Sequence, residues 1–319
     1  MSAPGPADRP RSTADSAAPG SAPPAADPSR RAGAAGDPAP RGNAAASDAR
    51  PPGRDSSPRG NAAASDARTA GPLRRTISDA ALALSFLTLV PVPGSTLGAG
   101  SMRRAAGWFP LIGAGIGAFG GAVRLGTEPL LGATTATVLG LAAIVAVTGA
   151  LHQDGLADCA DGLGVRGDRE RRLAVMRDSA IGVFGMLALL GWGLLMVSAL
   201  APLSKHQALD ALIAAGALGR AATLVHATVT TPARRDGLGA GFTVPPAALG
   251  IAVVTAAAAA LLALGPARAA LALGAAALTA AATSVWARRA IGGRTGDTLG
   301  ATVALAELLV VLALAAAWH

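Results

Sequence analysis

The chain has 319 residues, of which 51% are hydrophobic and only 14% are charged, and its formal net charge is +8. A soluble globular domain carries roughly a quarter of charged residues, so this composition argues against an ordinary water-soluble fold. The positive charge does not indicate nucleic-acid binding. The chain has no Tyr and 3% aromatic residues, and many of its arginines border apolar runs, where positive charge orients membrane helices.

Residues 1–72 consist mainly of Ala, Pro, Gly, Ser, Asp and Arg. Such a segment cannot bury enough apolar surface to offset the entropy lost on ordering, so we predict a disordered, low-complexity tail. The motif RGNAAASDAR occurs at 41–50 and again at 59–68, and neither copy has a hydrophobic face. It is therefore a duplication and not a solenoid repeat. Residues 76–319 are predicted to form one membrane-embedded domain.

This second part contains a series of apolar stretches of about 20 residues, the length that crosses a bilayer. The first stretch, ISDAALALSFLTLVPVP at 77–93, is short and ends in prolines. It is either a span or a re-entrant or interfacial helix. The other apolar stretches are at 105–123, 130–151, 180–203, 208–229, 247–265, 269–287 and 299–318. The predicted fold is all-α, a polytopic membrane helix bundle of about seven or eight spans.

Arginines cluster beside many of these stretches, and the positive-inside rule places such clusters in the cytoplasm. The residues concerned are Arg74, Arg75, Arg166, Arg169, Arg171, Arg172, Arg177, Arg234, Arg235, Arg288 and Arg289. We therefore predict a multi-pass protein of the plasma membrane whose 151–185 segment faces the cytoplasm. Arg103 and Arg104 fit this orientation only if the 77–93 stretch does not fully cross.

The segment LHQDGLADCADGLGVRGDRERRLAVMRDSAIGVFG, at 151–185, concentrates acidic residues between two apolar stretches. Asp154, Asp158 and Asp161 are four and three positions apart, so they share one face if the segment is helical. Like charges on one face need compensation, and Mg²⁺ favours carboxylate, water and phosphate oxygens. Small residues between the carboxylates leave space for a diphosphate. The alternative is a solvated acidic loop without a ligand.

Three neighbours of these carboxylates are further candidates. His152 is either a base that deprotonates an attacking hydroxyl or a capping or packing residue. Arg177 is a candidate for gripping a phosphate. Asp178 is either a further metal ligand or the N-cap of the next helix, and Ser179 is the other candidate for that N-cap. Cys159 is expected to be a small apolar filler.

A second polar cluster, RRAIGGRTGDTLGATVALAE at 288–307, interrupts the C-terminal apolar region. Asp297 is either a cap in a turn or part of a second half-site, where it adds a metal ligand or binds a nucleotide. Glu307 lies inside an apolar stretch, and an acidic residue there requires a partner or a function. Arg220 is the candidate partner.

Three blocks of this sequence resemble, in the same order, the adenosylcobinamide-GDP ribazoletransferase (cobalamin synthase) family. They are FLTLVPVP at 86–93, GALHQDGLADCADGLGVRGDRERRLAVMRDSAIGVFG at 149–185, and GGRTGDTLGA with the AE that follows, within 292–307. The resemblance implies an integral membrane enzyme that requires Mg²⁺ and acts in the last steps of cobalamin biosynthesis. Such an enzyme transfers the adenosylcobinamide phosphate moiety of adenosylcobinamide-GDP to α-ribazole or its 5′-phosphate and releases GMP.

On this resemblance, Asp154, Asp158 and Asp161 hold Mg²⁺ against the diphosphate. Arg177 steadies a phosphate, Asp178 is a further ligand, and a cluster carboxylate or His152 accepts the proton of the ribazole hydroxyl. The chain departs from the family modestly, with Gln153 and Cys159 inside the block and a short GVRGD connection, and the carboxylates are intact. The implied partners are the two substrates and the lipid bilayer. A homo-oligomer is compatible with the sequence.

The alternative function is a multi-pass membrane transporter. Its intramembrane charges would be Asp210, Arg220, His226 and Glu307, and its glycine-rich helices would be broken segments. Transporters usually have internal symmetry, and no second copy of the acidic block occurs in the sequence.

Overall fold

The computed structural model describes residues 72–92 and 99–318, so the predicted tail at 1–72 lies outside the described residues except for its last position. Within these ranges the regular structure is helical and no β-strand occurs, which confirms the all-α prediction. The helices are α1 Pro72–Leu87, α2 Ala99–Ala105, α3 Phe109–Thr148, α4 Leu151–Gly164, α5 Arg169–Val175, α6 Val183–Leu200, α7 Lys205–Val229, α8 Leu238–Gly241, α9 Pro246–Leu264, α10 Pro266–Ile291 and α11 Gly296–Trp318.

Six segments of the described chain are long and apolar enough to cross a membrane, and the first of them, Met102–Thr148, contains α3. This helix is broken at Gly132, which has φ 75° and ψ 164°. A Cβ atom on Gly140 would lie 2.6 Å from the carbonyl oxygen of Gly120, whereas a continuous helix would separate these residues by about 30 Å. α3 is therefore a hairpin with two apolar legs, and the described residues contain seven such legs in all, consistent with the predicted number.

α1 is not among the segments that could cross a membrane. Its N-terminal part is exposed, and Leu82 and Leu87 are buried against the bundle. Arg104 Nε donates to Asp79 Oδ2 at 3.0 Å, which joins the helix to α2. Because α1 does not cross and Arg103 and Arg104 lie at the beginning of the first spanning segment, these arginines no longer conflict with the other arginine clusters.

α7 and α11 form the centre of the bundle. In the most apolar 18-residue stretch of each helix, 78% of the residues are buried in α7 and 67% in α11, compared with 28% in α6 and in α9. The first leg of α3 approaches α7 closely, since a Cβ on Gly113 or on Gly216 would collide with the other backbone. Small residues permit such close approaches between membrane helices. The outer helices expose large apolar residues, which a bilayer would cover.

The segments predicted to carry chemistry lie at one end of the bundle. Pro232 and Arg294 form an isolated parallel bridge. Arg169 donates to the carbonyl oxygen of Ile291 at 2.7 Å and to that of Ala233 at 2.5 Å. These contacts bring α5, the 230–245 segment, the end of α10 and the residues just before α11 together. We call this the site end of the bundle.

Candidate functional site

The acidic helix α4 lies against the start of α11. It follows a left-handed turn at Gly149 and Ala150, whose φ values are 60° and 57°. A Cβ on Gly155 would be 2.6 Å from the carbonyl oxygen of Asp297. One turn earlier on α4, the carbonyl oxygen of Leu151 would be 3.2 Å from a Cβ on Gly300. The two helices are therefore antiparallel, and Asp297 comes beside the middle of α4.

Asp154, Asp158 and Asp297 form what we call the acidic cluster. Asp154 is exposed and the other two are half-buried. Burial, followed by the carboxylates of Asp154, Asp297 and Asp161, raises the pKa of Asp158 to about 7, and Arg234 opposes this rise. Asp297 also accepts hydrogen bonds from Arg234 Nη2 at 3.0 Å and from a threonine hydroxyl. The cluster thus concentrates negative charge beside one arginine.

The carboxylates of the acidic cluster are oxygen ligands of the kind that Mg²⁺ favours. Across residues 72–92 and 99–318, no three His, Cys, Asp or Glu side chains are placed closely enough to enclose a metal ion. Mg²⁺ in enzymes commonly takes one or two carboxylates, and water and substrate phosphate complete its coordination. The acidic cluster is consistent with such an open site and not with a closed protein cage.

Asp161 has other partners. Its Oδ2 accepts the backbone N–H of Gly182 at 2.7 Å, and its Oδ1 accepts that of Gly185 at 2.9 Å. These donors belong to the first turn of α6, which has no side-chain cap of its own. A Cβ on either glycine would collide with the Asp161 carboxylate. Asp161 therefore caps α6 from α4, and its role as a metal ligand stays a prediction.

Asp178 and Ser179 do not cap α6, because the N-cap position is Gly182. That interpretation of the sequence was wrong: the donors of the first turn are already occupied by a carboxylate from another helix. Asp178 is exposed and accepts the backbone N–H of Ala180 at 3.0 Å. Whether it binds a metal stays a prediction.

A polar cavity of about 260 Å³ lies beside the acidic cluster, and its lining includes Arg177, Arg234, Asp236, Arg294 and Asp297. Arg177 Nη2 donates to both carboxylate oxygens of Asp236, at 2.7 and 2.8 Å. Arg294 donates to two backbone carbonyl groups, and its buried Nε has no acceptor. This cavity has the donors and the positive charge that phosphate groups require.

Sequence reasoning selected Arg177 and Asp297 but missed the contribution of Arg234 and Asp236. The signal was present in TTPARRDGLGAGF at 230–242, a charged, glycine-rich segment between two apolar stretches. Arg234 was interpreted only as an orienting charge. Its contact with Asp297 depends on the packing of helices that are far apart in the chain.

His152 is buried and lines a second, larger cavity of about 490 Å³, which also borders Asp154 and Asp297. We call it the apolar cavity. Burial and the nearby Arg220 guanidinium lower the pKa of His152 well below its usual value. Arg220 is ion-paired with Glu307, which confirms the predicted partnership. The imidazole is thus neutral, and its role as the catalytic base stays a prediction.

A sequence model of the cobalamin-5-phosphate synthase family matches residues 79–315. The chain belongs to this family. The matched region contains α4, the 230–245 segment and the start of α11, and therefore every residue of the acidic cluster and of the two cavities. The resemblance inferred from the three sequence blocks is confirmed, and a transporter is not favoured.

Similar proteins named adenosylcobinamide-GDP ribazoletransferase occur in several bacteria. The protein of Bradyrhizobium diazoefficiens is 41% identical over 76% of this chain and 95% of its own length. The protein of Azorhizobium caulinodans is 39% identical over 75% and 95%, and that of Sinorhizobium medicae is 41% identical over 77% and 98%. No solved structure matches the chain.

Proposed function

We propose that this protein transfers the adenosylcobinamide phosphate moiety of adenosylcobinamide-GDP to α-ribazole or its 5′-phosphate and releases GMP. Family membership and the names of the relatives support this activity. The observation that carries the assignment to a site is the convergence of Asp154, Asp158 and Asp297 with Arg234 beside the polar cavity. An acidic group and arginines at one place suit a reaction at a diphosphate.

Mg²⁺ is the proposed cofactor. Burial and the neighbouring carboxylates raise the pKa of Asp158, and a bound divalent cation would reduce the repulsion among these carboxylates. Asp154, Asp158 and Asp297 would supply one or two of its ligands, water and substrate phosphate would supply the others, and Asp161 would join them only by releasing its bonds to α6. When bound, the ion neutralises charge that develops on the phosphoryl oxygens and on the leaving group.

The polar cavity is the proposed site of the donor's guanosine diphosphate. Arg234 and Arg177 line this cavity and would donate to phosphate oxygens, and such charge-assisted contacts would hold the reacting phosphorus in position. The ribazole hydroxyl oxygen attacks the phosphorus bonded to cobinamide, the bond from this phosphorus to the GMP oxygen breaks, and GMP leaves. A carboxylate of the acidic cluster or His152 accepts the hydroxyl proton.

The site end of the bundle is proposed to face the cytoplasm across the plasma membrane. The arginines of the 166–177, 234–235 and 288–294 segments lie at this end, whereas Lys205 and Arg268 flank the helix ends on the opposite side. The positive-inside rule favours the arginine-rich end as cytoplasmic.

The test is GMP release by the purified protein in detergent, with both substrates and with or without Mg²⁺. We expect release that depends on all three. Asp154→Asn, Asp158→Asn and Asp297→Asn should each abolish it while the protein stays folded. Asp210→Asn is the matched control, because this carboxylate lies toward the other end of α7 and matters only to a transporter. Full activity in all three cluster variants would refute the site.

A further inference from the structure

The apolar cavity runs from the acidic cluster toward the centre of the bundle. Asp154 and Asp297 line it where α11 begins, and Arg220 of α7 and Val303 of α11 line it deeper in the bundle. Val303 comes six positions after Asp297 on α11, which corresponds to a rise of about 9 Å. The cavity therefore has an outer end beside the proposed reaction centre and an inner end within the bundle.

One wall of the cavity is aromatic. Phe86, Phe109 and Phe242 all line it, and they are three of only five phenylalanines in the chain. The ring centroids of Phe86 and Phe109 are 5.6 Å apart at an interplanar angle of 15°, and those of Phe109 and Phe242 are 6.0 Å apart at 22°. Such a wall favours a flat, apolar ring by stacked or edge-to-face contact.

The inner end carries hydrogen-bond donors without a net charge. Arg220 pairs with Glu307, so its charge is compensated. Arg220 Nη2 lies 3.5 Å from His152 Nδ1. A guanidinium can only donate, so Nδ1 is the acceptor and the ring proton is on Nε2. Arg220 Nε is buried and has no acceptor. This end therefore suits a ligand with one neutral acceptor and not an anion.

We propose that the apolar cavity binds the benzimidazole base of the acceptor nucleoside, with its ribose at the outer end. This assignment rests on the proposed function. A benzimidazole nucleoside combines an apolar bicyclic ring, one free ring nitrogen that accepts a hydrogen bond, and hydroxyl groups that would reach the acidic cluster. The volume of about 490 Å³ falls within the usual range of about 300–1,000 Å³ for ligand sites, whereas a corrinoid is larger and the donor's nucleotide requires the charged polar cavity.

In this arrangement His152 is a hydrogen-bond donor to the ring nitrogen of the base, and Arg220 is a positioning residue that keeps the donor proton on Nε2. His152 could act as the catalytic base only if its contact with Arg220 broke. In the present arrangement Nδ1 accepts from Arg220 and Nε2 already carries a proton, so neither nitrogen can take another.

Binding of α-ribazole alone to the full-length protein in nanodiscs, measured by equilibrium dialysis, tests the proposal. Stacking on an aromatic side chain contributes enough that Phe242→Leu should raise the Kd for α-ribazole at least about fivefold. His152→Phe should also weaken binding, and His152→Gln, which keeps an N–H donor, should restore part of it. The KM for adenosylcobinamide-GDP should not change in these variants. Phe119→Leu is the control, since Phe119 is exposed on the outer face of α3.

An unchanged Kd for α-ribazole in folded Phe242→Leu and His152→Phe would overturn the proposal, and a lipid chain would then be the better occupant. If Phe242→Leu does not fold, Leu299→Trp, which fills the cavity, should block α-ribazole binding, and retained binding would overturn the proposal equally. A wild-type protein that binds α-ribazole but releases no GMP would refute the proposed function and leave the cavity assignment standing.

Discussion

Gly155 is the point where the acidic helix α4 comes closest to the start of α11. A Cβ atom at this position would lie 2.6 Å from the carbonyl oxygen of Asp297 and 3.2 Å from the backbone nitrogen of Ala301. Both atoms belong to the backbone of α11, so no side-chain rotation can relieve the collision. Gly155→Ala must therefore separate the two helices.

The size of this separation follows from the contact distance. Ordinary van der Waals contact begins at 3.4 Å, so the distance from the Cβ to the Asp297 oxygen must increase from 2.6 Å by about 0.8 Å. Asp154 is adjacent to Gly155, so this shift moves the two sides of the acidic cluster apart. A misplacement of about 1 Å near a reacting centre can lower the rate by about 100-fold. Overpacking typically lowers the free energy of unfolding by about 1–3 kcal/mol.

We expect Gly155→Ala to lower kcat for GMP release by between about 10-fold and about 100-fold, at saturating Mg²⁺ and substrates. The melting temperature of the detergent-solubilised protein is measured in parallel, so that a loss of activity is not confused with a loss of folded protein. Gly191→Ala in α6 and Gly274→Ala in α10 are matched controls, because no atom lies within 4 Å of a Cβ at either position. Both should retain the wild-type kcat.

A wild-type kcat in Gly155→Ala would refute the reasoning, because it would mean that the distance between α4 and α11 does not matter for the reaction. An equal loss in Gly191→Ala would also refute it, since the effect would then not depend on the close approach of the two helices.

Three further predictions concern charge. Asp161→Asn should lower the free energy of unfolding by about 1.5–3 kcal/mol, because the two hydrogen bonds from N–H groups of α6 would lose their charged acceptor. An unchanged melting temperature would contradict the capping role. The raised pKa of Asp158 means that it holds a proton below pH 7. Because this proton competes with Mg²⁺, the Mg²⁺ concentration for half-maximal activity should decrease as the pH rises from about 6 to about 8. Without Mg²⁺, the free energy of unfolding should decrease as the pH rises from about 4 toward 7. A Mg²⁺ requirement independent of pH would count against this. Arg220→Met should lower the free energy of unfolding by about 3–5 kcal/mol by leaving Glu307 unpaired, and the added change Glu307→Leu should recover much of the loss in thermal denaturation.

Several features followed from the sequence because they depend on local properties of the chain. The length of an apolar stretch relative to the bilayer predicted the spanning helices, although the stretches at 105–123 and 130–151 proved to belong to one hairpin, α3, which bends at Gly132. The spacing of Asp154 and Asp158 predicted that they belong to one helix, and they do. The pairing of Arg220 with Glu307 was also predictable, since a charge inside a membrane bundle requires a partner and few were available.

The composition of the site depended on which helices cover α4, and no local pattern contains that information. Asp161 has the same helical spacing as its neighbours, yet both of its carboxylate oxygens accept backbone N–H groups at the start of α6. Asp297 lies far along the chain, yet the antiparallel packing of α11 brings it to the acidic cluster. The sequence by itself determined a membrane bundle with a row of carboxylates on one helix, because helical period and apolar length are local. Only the tertiary structure decided which carboxylates face a common space and which one holds a neighbouring helix, because that depends on packing between distant segments.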